Sequence, residues 1–300
     1  MNILLCGDID DAERCAWLDA LAAALPEAEW LDLAAARRAS DTVQAAVVAN
    51  PPPGSLQGLP RLRLIQSLWA GVDRLLSDAT LPPGVPIARM VDPALSAAMA
   101  ETALWAVLAL HRDFFVYARQ QRQALWQVHA QRRADEVRVL VMGQGEMGRA
   151  ATARIAALGY AVRGWRRDGT PLADALALTD IAINLLPLTV QTRGLLNKAF
   201  FAALPLGASI VNLGRGAHVV DADLLAALDS GHPRHAVLDV FHTEPLPATH
   251  PYWQHPQVTV LPHAAAQTDP RSAAAVAACN LRAVRDGSPV QHLVLPERGY

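Results

Sequence analysis

Short apolar runs alternate with longer amphipathic segments along most of the chain. The runs are rich in Val, Ile and Leu and are bounded by Gly, Pro, Asp or Asn, which is typical of strands buried inside a parallel sheet. The segments between them repeat apolar residues every three or four positions, as helices that cover a sheet do. The alternation of the two patterns predicts an α/β fold.

Two sets of these segments occur, which suits two domains because 300 residues are long for a single core. The first set predicts strands at 2–6, 45–49, 62–67 and 86–88 and helices at 11–25 and 72–76. The second predicts strands at 137–142, 160–165, 181–185, 209–212, 236–239 and 258–261, with helices at 147–158 and 221–230. A single helical stretch at 93–125 separates the sets, and an alanine-rich helix at 270–286 follows them.

A glycine-rich turn links the strand at 137–142 to the helix after it. Gly143 allows a tight turn, Gly145 allows a pyrophosphate to approach the backbone, and Gly148 lets the helix pack against the strand. The start of the helix, with Glu146 and Met147, offers N–H groups and a positive dipole end to phosphates. A strand before the turn and a helix after it predict a dinucleotide site rather than coincidental glycines.

The residues after the next strand bear on which dinucleotide binds. NAD-binding units place an Asp or Glu at the end of this strand to accept hydrogen bonds from the ribose. Here Arg166 and Arg167 occupy that place, directly after Trp165, and the first acidic residue is Asp168 in the following turn. Guanidinium groups suit a 2′-phosphate. We therefore expect NADP(H) to be preferred over NAD(H), the alternative being a solvated loop.

Three further strand ends in the second set carry candidate catalytic side chains. Arg215 follows the strand at 209–212 between two glycines, Glu244 lies in a proline-bounded loop after 236–239, and His263 directly follows 258–261. The carboxyl ends of parallel strands share one edge of a sheet, and ligands bind at that edge in open α/β folds. We therefore expect the three side chains to share one site.

These three residues suit the reduction of a 2-oxo acid. Arg215 can hold a carboxylate through two parallel hydrogen bonds. His263 can supply a proton, because an imidazole titrates near neutral pH. Glu244 beside it would favour the imidazolium. Each residue taken alone is more often structural, and it is their combination after a dinucleotide turn that indicates catalysis.

The chain resembles the D-isomer-specific 2-hydroxyacid dehydrogenases over nearly its whole length, and within them the glyoxylate/hydroxypyruvate reductase A group. The matching stretches are 70–73, 143–148, 184–189, 212–221, 238–247, 253–256, 262–263 and 298–300. The resemblance implies NAD(P)H-dependent reduction of a small 2-oxo acid to the D-2-hydroxy acid. Glyoxylate and hydroxypyruvate are the substrates it implies first.

The resemblance also implies roles for single residues. Arg215 would bind the carboxylate and oxo group of the substrate, His263 would donate the proton, and Glu244 would pair with His263. Asp239 would contact the carboxamide of the nicotinamide. Further cofactor contacts are implied at Trp165, Leu186, Pro187, Thr192, Leu213 and Gly214.

The domain arrangement follows from the same resemblance. A Rossmann-like NAD(P)-binding domain of residues 89–268 would be inserted in a flavodoxin-like substrate-binding domain made of residues 1–88 and 269–300. Both domains would contain parallel sheets. The family is usually dimeric, and Trp126 lies where relatives can place a tryptophan at the partner's active site. We therefore expect a homodimer.

The substrate would also be held from the first domain. The resemblance implies that backbone amides near Ala70 and Gly71 bind its carboxylate. Trp69 stands where relatives commonly have a small residue. Its indole either reshapes the substrate pocket or points into the core.

Composition argues against several other classes of protein. A net charge of −2 and a pI of about 6.5 give no footprint for nucleic acid. The three cysteines have neither metal nor redox spacing and fit a reducing cytoplasm. The amino terminus is expected to form a strand rather than a signal peptide. Charged residues directly follow the apolar segment near 103–110, which argues against a membrane span, and the histidines lack ligand spacing for a metal.

Two alternative functions remain open from the sequence. A pocket altered at Trp69 could serve a dehydrogenase of a larger 2-hydroxy acid. The same fold also serves as a non-catalytic dinucleotide-sensing protein in some transcriptional corepressors. The presence of Arg215, Glu244 and His263 together favours an enzyme.

Overall fold

The computed structural model describes residues 1–167 and 169–295. Asp168 and the matching stretch at 298–300 therefore lie outside the described residues. The chain divides into two compact units: the first combines Met1–Ala94 with the segment that begins at Thr268, and the second is Leu95–Gln267. The sequence placed these boundaries at 88/89 and 268/269. Met90 is fully buried in the core of the first unit, which keeps the segment after residue 88 with that unit.

The first unit contains a five-stranded parallel sheet in the order β2-β1-β3-β4-β5. This is the flavodoxin-like strand order. Its strands are β1 Asn2–Gly7, β2 Glu29–Leu31, β3 Val43–Ala49, β4 Leu64–Ser67 and β5 Ile87–Ala88, with helices α1 Asp11–Ala24, α2 Leu33–Arg38 and α3 Asp73–Leu76. The sequence does not predict β2 or α2. Both are short, and β2 is only partly buried, so neither shows a clear hydrophobic period.

The second unit contains a six-stranded parallel sheet in the order β11-β10-β9-β8-β6-β7. Its strands are β6 Arg138–Met142, β7 Ala161–Trp165, β8 Ile181–Asn184, β9 Ser209–Asn212, β10 His235–Leu238 and β11 Val258–Val260. Its helices are α4 Pro93–His111, α5 Phe114–Arg122, α6 Glu146–Ala156, α7 Leu172–Leu176, α8 Lys198–Ala202 and α9 Asp221–Asp229, of which α4 starts at the boundary between the units. The predicted α/β fold with two parallel sheets is confirmed.

The helical stretch predicted at 93–125 is wrong as a single helix. It is divided into α4 and α5 at Asp113, which adopts a left-handed backbone conformation with φ of 58°. The Asp113 side chain is nearly buried and forms an ion pair with Arg234. An apolar stripe continues across this break, so hydrophobic periodicity alone could not reveal it.

α4 is long and apolar enough to cross a bilayer by length and composition. In the structure its apolar residues pack in the core of the second unit, where Met99, Ala103 and Val107 share a cluster with Val139 and Ile183 of the sheet. Core helices of globular proteins have this character.

The last helix, α10 Pro270–Asp286, completes the core of the first unit. Its buried alanines, among them Ala273 and Ala277, lie in the same cluster as Trp17 and Leu21 of α1. Asp269 caps the start of the helix, and its side chain accepts a hydrogen bond from the Arg271 N–H. The insertion of one unit into the other, as predicted, follows from this return of the chain.

Candidate active site

Strand register brings the candidate loops of the second unit to one edge of its sheet. Met142 pairs with both Trp165 and Asn184, and Asn212 pairs with both Asn184 and Leu238. The loops after β6, β7, β8, β9 and β10 therefore leave the sheet side by side. This edge is where ligands bind in open α/β sheets.

The glycine-rich turn after β6 has the geometry that its sequence predicts. Gly143 has a φ of +95°, a conformation that side chains disfavour. A Cβ on Gly148 would lie 1.8 Å from the carbonyl oxygen of Gly143, so only glycine allows α6 to start so close to the turn. The Gln144 side chain points back and donates to the Val141 carbonyl oxygen at 3.1 Å.

The start of α6 fits the pyrophosphate of a dinucleotide. Gly145 caps the helix without a side-chain hydrogen bond, and a Cβ built there would meet nothing within 4 Å. The Glu146 carboxylate forms an ion pair with Arg149. No side chain caps the start of the helix, so the backbone N–H groups of Glu146 and Met147 can bind an anion. Uncapped N–H groups and the helix dipole together favour an anion at this position.

The end of β7 presents two arginines beside this turn. Trp165 is buried, and its indole N–H donates to the Thr170 carbonyl oxygen at 2.8 Å, which fixes the loop. Arg166 and Arg167 follow it directly and are exposed. The Gly143 N–H donates to the Trp165 carbonyl oxygen at 3.1 Å. The segment with the two arginines therefore starts next to the first residue of the glycine turn.

The loop after β8 is held by its own side chains. Leu186 and Pro187 are partly exposed, whereas Thr192 is buried. The Thr192 hydroxyl donates to the Pro187 carbonyl oxygen at 2.7 Å and accepts from the Thr189 N–H at 2.8 Å. In the structure Thr192 therefore shapes the loop, and the surfaces of Leu186 and Pro187 remain open toward a ligand.

The loop after β9 places Arg215 between two tightly packed glycines. A Cβ on Gly216 would lie 1.9 Å from the carbonyl carbon of Phe241, so glycine allows this loop to touch the loop after β10. Arg215 is partly buried, and its guanidinium donates to the Gly214 carbonyl oxygen at 2.9 Å. Leu213 and Gly214 are buried beneath it.

His263 and Glu244 form a hydrogen-bonded pair, with 2.7 Å between His263 Nδ1 and Glu244 Oε2. The other carboxylate oxygen of Glu244 accepts from the Phe241 N–H at 2.8 Å. Half of the His263 side chain is exposed, which leaves its Nε2 side open to a substrate. The residue has a φ of 54°, an uncommon conformation without glycine. Such backbone strain is concentrated at functional sites.

The pair changes the acidity of both partners. The hydrogen bond to Glu244 raises the pKa of His263, against the opposing effects of burial and of the positive charge of Arg215. Burial raises the pKa of Glu244, but the hydrogen bonds from His263 and the Phe241 N–H outweigh it, and the pKa is lowered overall. An imidazolium next to a carboxylate is therefore the favoured state of the pair.

Asp239 lies beneath this pair and is almost fully buried. Its carboxylate accepts from the Ala264 N–H at 2.7 Å and the Ala265 N–H at 3.1 Å. Burial raises its pKa, although these hydrogen bonds act in the opposite direction. Asp239 thus fixes the backbone directly after His263.

The predicted substrate residues of the first unit follow β4. The Trp69 indole is half-buried, packs on the core of that unit and meets Trp17 edge to face with ring centroids 6.4 Å apart. This geometry favours the alternative in which the indole is part of the core. Ala70 and Gly71 follow it and are partly exposed.

Trp126 lies on the protein surface. Its side chain is 97% exposed, in the segment after α5. Neighbouring Val128 is also largely exposed, and the two line an open depression of about 700 Å³ with Phe114 and Leu125. The structure therefore does not bring Trp126 together with the other candidate residues of the second unit.

Sequence reasoning missed a cluster of buried polar side chains under the Arg215 loop. Asn184, Asn212 and His218 are each 0% exposed and are joined by hydrogen bonds. Asn184 and Asn212 end neighbouring strands, and that position was the sequence signal that could have revealed the cluster. In the residues that the structure describes, no group of His, Cys, Asp and Glu is arranged to hold a metal ion.

Comparison with known proteins identifies the family. A model described as D-isomer specific 2-hydroxyacid dehydrogenase, NAD binding domain, matches residues 104–265. Glyoxylate/hydroxypyruvate reductase A of Yersinia enterocolitica serotype O:8 / biotype 1B is 38% identical over 322 residues, covering 100% of both chains.

Solved structures agree over the whole chain. A D-isomer specific 2-hydroxyacid dehydrogenase from Xanthobacter autotrophicus Py2, in complex with NADPH and MES, has a TM-score of 0.93 at 38% identity, covering 100% of this chain and 99% of that one. The NADPH-dependent glyoxylate/hydroxypyruvate reductase from Sinorhizobium meliloti, in complex with NADP and sulfate, has a TM-score of 0.92 at 34% identity with the same coverage. The chain therefore belongs to the D-isomer specific 2-hydroxyacid dehydrogenase family, whose members are nicotinamide-dependent oxidoreductases.

Proposed function

We propose that this protein reduces a small 2-oxo acid of the glyoxylate or hydroxypyruvate type to the D-2-hydroxy acid, with NADPH as the reductant. The observation that carries the proposal is the 2.7 Å contact between His263 and Glu244, next to the Arg215 loop. His263 provides the acid, and Arg215 provides the anchor for the substrate carboxylate. Both lie at the sheet edge proposed to bind the cofactor. Relatives named as glyoxylate/hydroxypyruvate reductases support the choice of substrate.

The residues divide the chemistry among them. When bound, with its pyrophosphate held by the backbone N–H groups at the start of α6, the cofactor would supply the hydride for the oxo carbon. Arg215 binds the substrate carboxylate and polarises the oxo group through its guanidinium. His263 then gives its Nε2 proton to the alkoxide oxygen that develops, and Glu244 keeps the imidazole charged until that transfer.

The preference for NADPH rests on the end of β7. Arg166 and Arg167 are exposed at the position where NAD-binding units carry an acidic residue. Guanidinium groups bind a phosphate through charge-assisted hydrogen bonds. Two relatives with solved structures were crystallised with NADPH or NADP, which supports the same choice.

The further substrate contacts are assigned to the first unit. The backbone N–H groups of Ala70 and Gly71 would bind the substrate carboxylate. The packing of the Trp69 indole on Trp17 supports the interpretation that Trp69 belongs to the core of that unit. The proposed substrates are therefore small 2-oxo acids. The protein is expected to act in the reducing cytoplasm.

A homodimer is part of the proposal. The exposed apolar side chains of Leu125, Trp126 and Val128 are grouped, whereas exposed apolar residues on an ordinary surface are scattered singly. A second copy would cover it. Light scattering of the purified protein tests this, and Trp126→Ser should shift the mass toward that of a monomer.

Initial rates of NADPH and NADH oxidation test the function. The panel is glyoxylate, hydroxypyruvate, pyruvate and a bulkier 2-oxo acid, and chiral analysis of the hydroxypyruvate product tests the D configuration. Fast NADPH consumption with the first two substrates is expected. Activity only with the bulkier acid would move the assignment to a larger hydroxy acid. No consumption with any acid would favour a dinucleotide-sensing protein.

Two variants test the mechanism in the same assay. His263→Ala should lower kcat by about 100- to 10,000-fold, the usual contribution of a general acid, while NADPH still binds. Arg215→Ala should raise the KM for the oxo acid and lower kcat, because it loses both the anchor and the polarising charge. Full turnover by His263→Ala would contradict the mechanism.

A further inference from the structure

We propose that His218, together with Asn184 and Asn212, positions Arg215 for substrate binding and links it to the loop that carries Leu186 and Pro187. The proposal rests on the proposed function, since it concerns how Arg215 is held. These three buried side chains are named the polar hub. Each of them is 0% exposed, so they would act through the backbone of the residues proposed to bind the substrate.

The polar hub holds Arg215 at both ends of its backbone. The Arg215 N–H donates to His218 Nδ1 at 3.1 Å. The Arg215 carbonyl oxygen accepts from Asn212 Nδ2 at 3.0 Å. A residue whose N–H and C=O are both bound to buried side chains cannot rotate about its backbone without breaking buried hydrogen bonds. The direction in which the Arg215 side chain leaves the backbone is thereby fixed.

The hydrogen bonds also fix the protonation state of His218. Its Nδ1 faces two donors, the Arg215 N–H and Asn184 Nδ2 at 2.9 Å, so it must be an acceptor without a proton. The proton is then on Nε2, which lies 3.3 Å from the Pro187 carbonyl oxygen and donates to it. His218 is thus a neutral imidazole with one tautomer, and the two ring nitrogens have different tasks.

The second ring nitrogen connects the Arg215 loop to the loop after β8. Pro187 accepts from His218 Nε2, and the Leu186 N–H donates to Asn184 Oδ1 at 3.2 Å. Asn184 in turn donates to Asn212 Oδ1 at 2.9 Å. One buried network therefore holds a loop proposed to touch the cofactor and the loop that binds the substrate. A displacement of about 1 Å in such a site can cost on the order of 100-fold in rate.

Three substitutions separate the two tasks of His218. His218→Asn keeps an acceptor where Nδ1 stands but cannot reach Pro187. His218→Gln carries a donor that can reach Pro187 but leaves the Arg215 N–H without its acceptor. His218→Leu fills the space and removes both. His235→Asn is the matched control, because His235 is also buried in this unit but begins β10, at the opposite edge of the sheet.

The measurement is the KM for glyoxylate from NADPH oxidation, together with NADPH affinity from fluorescence titration, which needs no turnover. We expect His218→Gln to raise the KM for glyoxylate about tenfold or more while NADPH affinity stays within about threefold. His218→Asn should weaken NADPH binding and leave the KM for glyoxylate within about threefold. His218→Leu should change both, and His235→Asn neither. Equal effects of the Asn and Gln variants on both quantities, or no effect of either, would overturn the proposal.

A double-mutant cycle gives a second, independent readout. In the Arg215→Ala background, His218→Gln should add little to the loss in kcat/KM, because no guanidinium remains to be positioned. If its full effect persists there, His218 has a general structural role and the proposal fails. The wild-type protein separates the two hypotheses. No turnover of any oxo acid by it refutes the proposed function, whereas normal turnover with unchanged His218 variants refutes only the positioning role.

Discussion

The Nδ1 atom of His263 lies 2.7 Å from the carboxylate of Glu244, although the two residues lie on loops that follow different strands. The imidazole is thereby oriented with its other nitrogen outward. It is also held in the charged form, because the carboxylate raises the pKa of His263. This one contact therefore sets both the orientation of the His263 imidazole and its protonation state.

The first prediction concerns the pH dependence of the reaction. Reduction needs the imidazolium of His263, so its rate should persist above the ordinary imidazole pKa of about 6.5 and fall as the pH rises further. Glu244→Gln removes the charge that raises this pKa, so the fall should move to lower pH. The oxidative reaction needs neutral His263, and its onset should move to lower pH as well.

The pH profiles of kcat/KM in both directions check this prediction. Glu136→Gln is a suitable control, because Glu136 is an exposed carboxylate that precedes β6. If Glu244→Gln lowered the rate at every pH without moving the profile, Glu244 would orient His263 without tuning its pKa.

The second prediction concerns the choice of dinucleotide. Replacing Arg166 and Arg167 together by Ser should raise the KM for NADPH about tenfold to 100-fold, as expected when charged hydrogen bonds to a phosphate are lost. The KM for NADH should change little, because it lacks the 2′-phosphate. Arg163→Ser is the matched control, since Arg163 is an exposed arginine within β7. A parallel loss with both cofactors would contradict the role of the pair.

The third prediction contrasts two glycines of the same turn. Gly148→Ala should destabilise the protein, because its Cβ would lie 1.8 Å from the Gly143 carbonyl oxygen. Gly145→Ala should leave the melting temperature nearly unchanged, since its Cβ meets nothing within 4 Å and its φ is −73°. It should weaken cofactor binding, because the methyl group would stand where the pyrophosphate approaches. Thermal melts with and without NADPH measure both effects, and normal NADPH binding by Gly145→Ala would count against this placement of the pyrophosphate.

The fourth prediction concerns stability in acid. Burial lowers the pKa of His235 to about 3, and the charges of Arg119 and Arg234 act in the same direction. The folded protein therefore resists a proton that the unfolded chain accepts near pH 6.5. The contribution of His235 to the free energy of unfolding is fully present above pH 6.5. It is lost as the pH falls toward 3, by roughly 1.4 kcal/mol per pH unit.

Urea titrations of the wild type and of His235→Asn at pH 7.5 and pH 5 test this contribution. The wild type should lose more stability between the two pH values than the variant, which cannot titrate at this position. Equal losses would show that His235 does not control the acid limb.

The sequence predicted those parts of the site that local patterns encode. The glycine turn at 143–148 needs its own strand and helix, and the structure places both within a few residues of the prediction. Arg215, Glu244 and His263 each follow a strand, so the rule that parallel strands end at one edge was sufficient to group them. The resemblance implied that Glu244 pairs with His263, but sequence patterns alone could not give the 2.7 Å contact between them, because it depends on the path of a loop.

The parts that escaped prediction depend on contacts between distant segments. The polar hub needs Asn184 to face Asn212, and only the register of β8 and β9 establishes that pairing. His218 follows Ala217 in a loop, and no sequence pattern distinguishes it from other polar loop residues. The break between α4 and α5 lies at Asp113, whose ion pair with Arg234, far along the chain, leaves no local pattern in the sequence.

The placement of α10 in the core of the first unit has a consequence for synthesis on the ribosome. The second unit, Leu95–Gln267, is continuous in the chain and can fold as soon as it has emerged. The first unit starts earlier but needs Ala273, Ala277 and Leu281 to cover Trp17 and Leu21. Until then the face of its sheet that α1 and α10 cover together is covered only by α1, so the unit that is made first is completed last.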